Sequence, residues 1–441
     1  MAEIIRIKRG LDIPLQGAAS SDVSDDRETT LFAIFPDDFP GPVWKSVVKA
    51  GDKVSAGDAL LKDKASGSIC LVSPVSGTVE EVRRGERRHI QFISVRKDSD
   101  RQVSLSPASS AEQIRALIMT GGLWAMMRQR PFDIVPDTSR APRDIFVTAF
   151  DSAPLAPQIL DPALEPWLEK GLEALSKLTS GKVYLGVKAG SGISSVSATT
   201  VEFDGPHPAG NVGTQIAAIK PVNKGETVWT LDAATAARIG KLCATGCVDY
   251  HTTVAITGPC VKNPHLIKTE MGASVSTLLD GNLKTTSDIR IISGNVLTGL
   301  KIDKDSFIHY PYRQITVIEE GEHADEFMGW ASVSPKKFSV KRSFPAFLRG
   351  LSKPFDFDAR VKGGRRAMIL SGEYDKVFPF DIYPEYLIKA IIAGDIDRME
   401  KLGIYEVAPE DFALPEFVDT SKTEIQKIVR DGLDYLRKEL S

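Results

Sequence analysis

Short apolar runs separated by glycine-rich turns dominate the N-terminal part of the chain. Within residues 39–96, these runs are broken every few residues by Gly-Asp or Pro-x-x-Gly turns, at Gly51, Gly57 and 74–77. A helix cannot absorb that many glycines, because each costs about 1 kcal/mol relative to alanine. The pattern therefore predicts short β-strands joined by tight turns, with a loop at 18–30 before them.

Helix and strand patterns then alternate over residues 109–254. Ser109-Ser110-Ala111-Glu112 has the form of a capping box, in which a serine oxygen and a glutamate satisfy free amides at a helix start. The apolar stripe that follows ends at Gly121, and apolar strands at 144–150 and 183–187 flank an amphipathic helix. Such alternation is typical of an α/β domain with a parallel sheet.

The rest of the chain divides into a β-rich part and a helical part. Apolar runs at 291–294, 295–299 and 314–319 predict strands, and a polar linker follows at 334–337.

Start and stop signals mark the helices of the C-terminal part. Pro384 begins one helix and Gly394 ends it. Ser421-Lys422-Thr423-Glu424 has the form of a cap for the last helix, which carries an apolar stripe along one face.

Composition excludes several classes of function. The 441 residues include 55 Lys and Arg against 58 Asp and Glu, so no polyanion such as nucleic acid is indicated as a partner. The four cysteines are scattered, which favours a reducing compartment over a disulfide framework. No stretch resembles a signal peptide or is long enough to span a bilayer, so work at a membrane would rely on other chains.

No standard catalytic or metal-binding constellation stands out. Gly190-Ser191-Gly192 follows a predicted strand and could cradle a phosphate, but it lacks the third glycine of a dinucleotide fingerprint. Cys243, Cys247 and Cys260 match no zinc or iron–sulfur spacing, so buried structural thiols are favoured. The dense turn formers at 205–214 predict either a loop that approaches a ligand closely or a plain connection at the sheet edge.

The glycine-rich N-terminal part resembles the biotinyl/lipoyl carrier fold, a small barrel-sandwich of two similar hairpin halves. Carrier domains hold a modified lysine at a hairpin tip, and Asp63-Lys64-Ala65-Ser66 is similar to a lipoylation sequence. Lys64 lies ten residues before Pro74, farther than expected, and Gly67 suits the tip better. We therefore interpret Lys64 as an unmodified, solvated lysine and this domain as structural.

Motifs spread along the whole chain carry a further resemblance. They are Lys8-Arg9-Gly10-Leu11-Asp12-Ile13-Pro14, Gly122-Leu123-Trp124, Arg130-Pro131-Phe132, Phe146-Val147-Thr148-Ala149, His207-Pro208-Ala209-Gly210, Val212-Gly213-Thr214, Lys337-Phe338-Ser339-Val340 and Gly363-Gly364-Arg365-Arg366-Ala367-Met368. Together they resemble the A subunit of the sodium-translocating NADH:quinone reductases, a family of bacterial respiratory sodium pumps. That family is distantly similar to the NADH- and flavin-binding subunits of respiratory complex I and of the Rnf complexes.

The resemblance implies an α/β multidomain fold in four parts. These are an N-terminal segment with a biotinyl/lipoyl-like barrel-sandwich β domain (1–104), a Rossmann-like α/β domain (105–254), a β-grasp-like module (255–333) and a helical C-terminal region (334–441).

Two departures from the flavin-binding relatives indicate that redox groups have been lost. Those relatives have a long glycine-rich loop where this chain has only Gly121-Gly122-Leu123-Trp124, and the bulky Trp124 should leave less room for an isoalloxazine ring. They also bind an iron–sulfur cluster through cysteines in the helical end, whereas no cysteine follows Cys260 here. We therefore expect no redox cofactor in this chain.

The resemblance implies a member of a six-subunit complex that oxidises NADH, reduces ubiquinone and expels sodium. Such a protein would be peripheral, at the cytoplasmic side of the bacterial inner membrane, held by the B subunit in the membrane and by the flavoprotein subunits. Flavins, the iron–sulfur cluster and the NADH site would belong to those partners, and the isolated chain would have no activity. Two roles stay open: a contribution to ubiquinone binding, or a purely structural scaffold that binds no quinone. The shortened glycine loop disfavours a free flavin-dependent dehydrogenase.

The expected quinone site lies at two glycine-rich turns of the α/β domain, because ligands of open α/β sheets bind at loops beyond the carboxyl ends of the strands. An aromatic ring would supply a wall, and a histidine or backbone amides would donate to the quinone oxygens. In the open alternative, Trp124 only plugs the former flavin pocket. The candidate residues are Gly121, Gly122, Trp124, His207, Pro208 and Gly210.

Overall fold

The computed structural model describes residues 3–21, 23–25, 28–322, 326–327, 333–335, 337–340, 344–348 and 353–440. Lys336 of the predicted linker and the outermost residues of the first and last predicted domains lie outside the described residues. The strands are β1 (Glu3–Arg6), β2 (Val23–Asp25), β3 (Leu31–Ile34), β4 (Trp44–Ser46), β5 (Lys53–Val54), β6 (Ala59–Asp63), β7 (Cys70–Val72), β8 (Ser76–Arg84), β9 (Ile90–Ser99), β10 (Arg128–Arg130), β11 (Ile145–Thr148), β12 (Val183–Lys188), β13 (Thr199–Asp204), β14 (Val228–Asp232), β15 (His251–Thr257), β16 (His265–Glu270), β17 (Ile289–Ser293), β18 (Leu300–Ile302) and β19 (Gln314–Glu319). The helices are α1 (Ala111–Thr120), α2 (Leu168–Ser176), α3 (Val212–Ile219), α4 (Ala233–Thr245), α5 (Val275–Leu278), α6 (Pro384–Ile392), α7 (Ile396–Lys401), α8 (Ala413–Val418) and α9 (Ile425–Leu440).

Two small sheets form the N-terminal β domain, one in the order β3-β9-β8-β5 and the other in the order β4-β6-β7. Phe32, Leu61 and Val79, which come from both sheets, are buried in a shared apolar core. The prediction of short strands joined by tight turns is confirmed. The hairpin between β6 and β7 exposes Lys64 at its tip and closes at Gly67, whose φ is +66°. That Lys64 is unmodified stays a prediction.

A six-stranded sheet in the order β1-β13-β12-β11-β14-β10 forms the α/β domain. All neighbouring strands are parallel except β10, which pairs antiparallel to β14. The capping box of α1 lies one residue later than predicted. Ser110 Oγ accepts a hydrogen bond from Gln113 N at 3.3 Å, and the Gln113 side chain accepts one from Ser110 N at 3.4 Å. Ser109 and Glu112 have the same spacing, so the sequence alone did not separate the two boxes.

A second six-stranded sheet, in the order β18-β17-β19-β15-β16-β2, forms the β-rich module. Residues 295–299 are a turn and not the predicted strand, because the Asn295 side chain accepts hydrogen bonds from the amides of Leu297 (2.8 Å) and Thr298 (3.0 Å). Strand β15 crosses the predicted boundary at 254.

The two strands of the N-terminal segment pair with sheets outside the N-terminal β domain, with which the sequence prediction grouped this segment. Strand β1 forms an edge of the α/β sheet, beside β13. Strand β2, within the predicted loop at 18–30, forms an edge of the β-rich sheet, beside β16. Both pairings join stretches that are far apart in sequence, so no local pattern marks them.

Helices α6 to α9 pack around a core of their own, which includes Leu387, Met399 and Leu433. The predicted cap of α9 is wrong. Ser421 Oγ instead donates to Ala367 O at 3.1 Å, while Glu416 accepts a hydrogen bond from Gln426 N in the first turn. In the described part of the chain, no helix combines the length and the apolar character that crossing a bilayer requires.

Candidate functional site

The turn that contains Trp124 lies in the protein interior. The Trp124 side chain is fully buried, and its ring meets that of Trp229 edge-on, with 5.0 Å between ring centroids. The Arg115 guanidinium lies 5.5 Å from the Trp124 ring centroid, and the indole Nε1 donates to Pro136 O at 2.9 Å. The Trp124 ring is therefore packed within the protein interior.

Gly121 and Gly122 fix this turn against its neighbours. Gly122 has a φ of +77°, and an added Cβ would lie 2.6 Å from Cγ2 of Val72 in β7. A Cβ on Gly121 would lie 2.8 Å from Cδ2 of Leu242 in α4. Because a side chain at either position would collide, Gly122 allows the turn to approach the N-terminal β domain closely, and Gly121 allows it to approach α4.

The loop after β13 holds His207, which is 3% exposed. Its amide donates to Asp12 Oδ1 at 2.9 Å, and its carbonyl oxygen accepts a hydrogen bond from Leu11 N at 2.8 Å. Pro208 follows through a cis peptide bond. The predicted close approach of this loop is thus an approach to the N-terminal segment.

Ser152 orients the His207 ring. The Ser152 Oγ accepts a hydrogen bond from Gly210 N at 2.8 Å and lies 3.0 Å from His207 Nδ1. Burial lowers the pKa of His207 to about 4, so the imidazole is neutral at pH 7. The Ser152 hydroxyl can donate to Nδ1 or accept from it, and where it donates, the ring proton is on Nε2. His207 is therefore a neutral imidazole that carries one N–H.

The six candidate residues occupy two places in the fold. Trp124 belongs to the main core, whereas Ala209 of the His207 loop packs in a separate cluster with Val201 and Phe203. The contacts of the described residues include none between Trp124 and His207. Their participation in a quinone site stays a prediction.

A buried ion pair lies close to the His207 loop. Arg130 Nη1 is 2.5 Å from Asp411 Oδ2, and the two side chains are 2% and 0% exposed. The same Nη1 donates to Glu406 O at 2.7 Å. Burial opposes the charged form of Arg130, but the Asp411 carboxylate raises the pKa of Arg130 above its usual value. The pair ties the α/β domain to the C-terminal region.

Gly213 brings helix α3 against this pair. A Cβ at Gly213 would lie 2.1 Å from Asp411 Oδ1 and 2.6 Å from Arg130 Nη2. Gly213 and Arg130 both belong to the motifs quoted above, and their contact gives those motifs a shared structural role. No sequence pattern marks Asp411.

One acidic group at the strand ends was also missed. Asp151, which precedes Ser152 in the loop after β11, is exposed to solvent. The sequence signal that could have found Asp151 and Ser152 was their position directly after a predicted strand.

The alternative sites considered from sequence find no further support. Gly190 and Gly192 lie in an exposed turn that joins β12 to β13, so no helix N-terminus is available there for a phosphate. Burial raises the pKa of Cys243 and of Cys260 to about 11, as expected of structural thiols. The described residues contain no group of three or more metal-ligating side chains.

Two cavities lie elsewhere in the fold. One, of about 60 Å³, is lined by Phe39, Tyr310 and the Asp38–His309 pair among others, and is far smaller than the roughly 300–1,000 Å³ of most ligand pockets. The other, of about 790 Å³, opens in the C-terminal region. Neither is lined by Trp124 or His207.

Comparison with known proteins identifies the family. Three family models match: the NqrA N-terminal barrel-sandwich hybrid domain at 5–98, the NqrA second alpha/beta domain at 109–248 and the NQRA C-terminal domain at 253–304. The A subunit of the Na(+)-translocating NADH-quinone reductase of Hahella chejuensis is 38% identical over 99% of this chain and 100% of its own length. The proteins of the same name from Serratia proteamaculans (36%) and Neisseria meningitidis (35%) match over the same shares.

Among solved structures, an NAD+-reducing NiFe hydrogenase aligns over 76% of this chain and 63% of its own, at 12% identity. Its TM-score of 0.34 is too low to support a conclusion. The domain matches and the full-length relatives agree with each other and with the observed domains. This chain belongs to the family of the A subunits of Na(+)-translocating NADH-quinone reductases.

Proposed function

We propose that this chain is a peripheral component of a sodium-translocating NADH:ubiquinone oxidoreductase. It sits at the cytoplasmic face of the membrane, held by the B subunit in the membrane and by the flavoprotein subunits, and it contributes to ubiquinone binding without a redox cofactor of its own. The shared name of its relatives supports the assignment to the complex. The observation that carries the quinone role is the neutral His207 donor, oriented by Ser152 at the strand ends.

The chemistry of a quinone favours such a donor. Quinone carbonyl oxygens accept hydrogen bonds and donate none, so their site needs hydrogen-bond donors. Neutral donors suit a buried site, because burying a charged group costs more free energy. His207 supplies a neutral N–H. We assign the donor role to His207 and the fixing of its loop to Pro208 and Gly210.

The filled interior around Trp124 supports the absence of a flavin. In this proposal, Trp124 occupies the space of the former flavin ring, and Gly121 and Gly122 hold the turn that carries it. The residues around this turn pack against each other, which supports this part of the proposal.

The cofactor part of the proposal predicts a featureless visible spectrum. The purified chain should show neither flavin bands in the blue nor the broad absorption of an iron–sulfur cluster, because Trp124 fills the ring site and no cysteine follows Cys260. The measurement is an absorbance spectrum, followed by flavin fluorescence of the supernatant after denaturation. Stoichiometric flavin in that supernatant would contradict the proposal.

The quinone part is tested at His207 in the assembled complex. His207→Leu should raise the apparent KM for a short-chain ubiquinone at least about fivefold, because one hydrogen bond to a buried group is worth about 1–3 kcal/mol. NADH oxidation by the partner flavin should continue. His207→Gln, which keeps an N–H donor, should lose less affinity, and His89→Leu, at an exposed histidine of the N-terminal β domain, should behave as the parent protein.

A second candidate function is the structural scaffold that binds no quinone. It is favoured by the ion pairs that join the domains, namely Arg130–Asp411, Arg313–Asp232 and His309–Asp38. If His207→Leu assembles normally and keeps an unchanged quinone dependence, the scaffold is the better description, and the quinone site lies on the partner proteins.

A further inference from the structure

The smaller of the two cavities lies where three domains of the protein meet. Its lining includes residues from each of them: Asp38 and Phe39 from the N-terminal β domain, Met126 and Arg238 from the α/β domain, and His309 and Tyr310 from the β-rich module. A water molecule needs at least about 10–15 Å³ of such space. The cavity, of about 60 Å³, therefore admits a few waters or one small ion, and it is too small for most organic ligands.

Arg238 is a buried cation without a counter-ion at this cavity. It belongs to α4 and is 1% exposed. Its Nε donates to Asp249 O at 2.9 Å and its Nη2 donates to His251 O at 2.7 Å. Both acceptors are uncharged carbonyl groups. Within the described part of the chain, Arg238 forms no ion pair, and its Nη1 has no acceptor.

The two carboxylates that act electrostatically on Arg238 are already paired with other cations. Asp232 binds Arg313, and Asp249 Oδ2 lies 2.7 Å from Lys241 Nζ. Burial, together with the positive charge of Arg313, lowers the pKa of Arg238 to about 10, so the guanidinium is still charged at neutral pH. Because a buried charge without a partner of opposite sign is costly, an anion beside Arg238 would stabilise the fold.

The surroundings of the cavity carry an excess of positive charge. Arg128 lies close by, and its Nη2 donates to the backbone oxygen of Asp38 at 2.6 Å. The three guanidinium groups of Arg128, Arg238 and Arg313 face only the two carboxylates of Asp38 and Asp232. The formal sum of these five groups is therefore +1, which one monovalent anion would neutralise.

The remaining titratable groups of the lining do not reverse this sign. Glu270 Oε1 lies 2.7 Å from Lys97 Nζ, so this pair is neutral as a unit. His309 Nδ1 lies 2.8 Å from Asp38 Oδ1, and protonation of this histidine would only add positive charge. A metal cation would be repelled from such a site. A dianion such as sulfate would carry more charge than the site has to balance.

We propose that this cavity binds a chloride ion against the Arg238 guanidinium. Chloride carries a single charge and accepts hydrogen bonds from several directions, so one ion satisfies both Nη1 and the charge of Arg238. Water would satisfy the nitrogen and leave the charge without a partner. Because the lining comes from three domains, the bound ion would also hold these domains together. The proposal does not depend on quinone binding.

The first test measures the thermal stability of the purified full-length chain in sodium chloride and in sodium gluconate at equal ionic strength. Because chloride binds the folded protein, Tm should rise with chloride concentration and level off at least about 2 °C above its value in gluconate. Arg238→Met should lose this difference, whereas Arg238→Lys, which keeps the charge, should retain part of it. A rise in Tm with sodium acetate and none with chloride would show that the site takes a carboxylate, and would overturn the proposal.

Arg143→Met is the matched control. Arg143 belongs to the same domain and is 16% exposed, but it is paired with Asp144 at 2.7 Å and does not line the cavity. This variant should have a lower Tm than the parent and the same response to chloride. A chloride response that persists in Arg238→Met would place the ion elsewhere and contradict the proposal.

Bromide locates the ion directly and requires no variant to fold. Crystals of the parent chain grown in sodium bromide should show an anomalous scattering peak in contact with the Arg238 guanidinium. Without a peak there, the cavity holds water only, and the proposal is wrong. A peak at Arg238 without any difference in Tm between chloride and gluconate would indicate an adventitious ion only, which also overturns it.

Discussion

Replacing Arg130 by leucine should lower the free energy of unfolding by about 3–5 kcal/mol, because the change leaves the Asp411 carboxylate buried without its partner. Asp411 is enclosed on all sides, and Gly213 of α3 lies directly against it. The remaining negative charge has no route to water unless the α/β domain and the C-terminal region separate. Urea unfolding followed by circular dichroism measures the loss, and limited proteolysis should show the C-terminal region released first.

Removing both partners should cost less than removing one. In Arg130→Leu combined with Asp411→Leu, no charge is left buried, and apolar replacements of buried ion pairs are often close to neutral. Lys427→Ala is the control, since the Lys427–Asp431 pair is exposed and its loss should change stability by less than about 1 kcal/mol. A single Arg130 variant as stable as the parent would show that the pair does not hold the two regions together.

Trp124→Ala should lower the free energy of unfolding by a similar amount, about 3–5 kcal/mol, because it leaves a cavity the size of an indole within a close-packed core. The change also leaves Pro136 O without its donor and removes the edge contact with Trp229. Thermal unfolding of the purified chain gives the measurement. Trp124→Phe, which keeps most of the ring volume, should lose less than half as much.

This result also distinguishes two roles of the tryptophan. A ring that fills a former pocket contributes mainly to stability, whereas a ring that forms one wall of an open site contributes mainly to ligand affinity. If Trp124→Ala has the same unfolding temperature as the parent protein, the ring does not contribute to packing. A role as the wall of a quinone site is then the better interpretation. Tyr386→Ala, at a residue that is 54% exposed, is a suitable reference for an aromatic side chain outside the core.

Elements with local signals were predictable from the sequence. Helix α6 begins at Pro384 and ends before Gly394 as predicted. Proline favours the first position of a helix and glycine the position beyond its end, and both effects depend only on neighbouring residues. Strands β11 and β12 matched the apolar runs that marked them. The errors among local signals, at Ser109 and Ser421, arose where a capping pattern was present but another residue, Ser110 or Glu416, accepts from the amides of the first helical turn.

Long-range contacts were not predictable in this way. Arg130 and Asp411 are 281 residues apart, and neither has a neighbour in sequence that indicates the other. The same is true of the candidate site. The density of turn formers drew attention to His207, but Ser152, which orients its ring, comes from another loop. The lowered pKa of His207 depends on burial, which a single sequence does not state.

The anchoring of the His207 loop on the N-terminal segment also constrains the order in which the protein can form during its synthesis. Asp12, whose side chain accepts a hydrogen bond from the His207 amide, is synthesised 195 residues before His207. At a translation rate of about 5–20 residues per second, Asp12 waits roughly 10–40 s on the ribosome. Throughout this interval β1 has no β13 to pair with. The His207 loop therefore takes its final geometry only after Asp12 and β1, which are made much earlier, have remained without these partners for that interval.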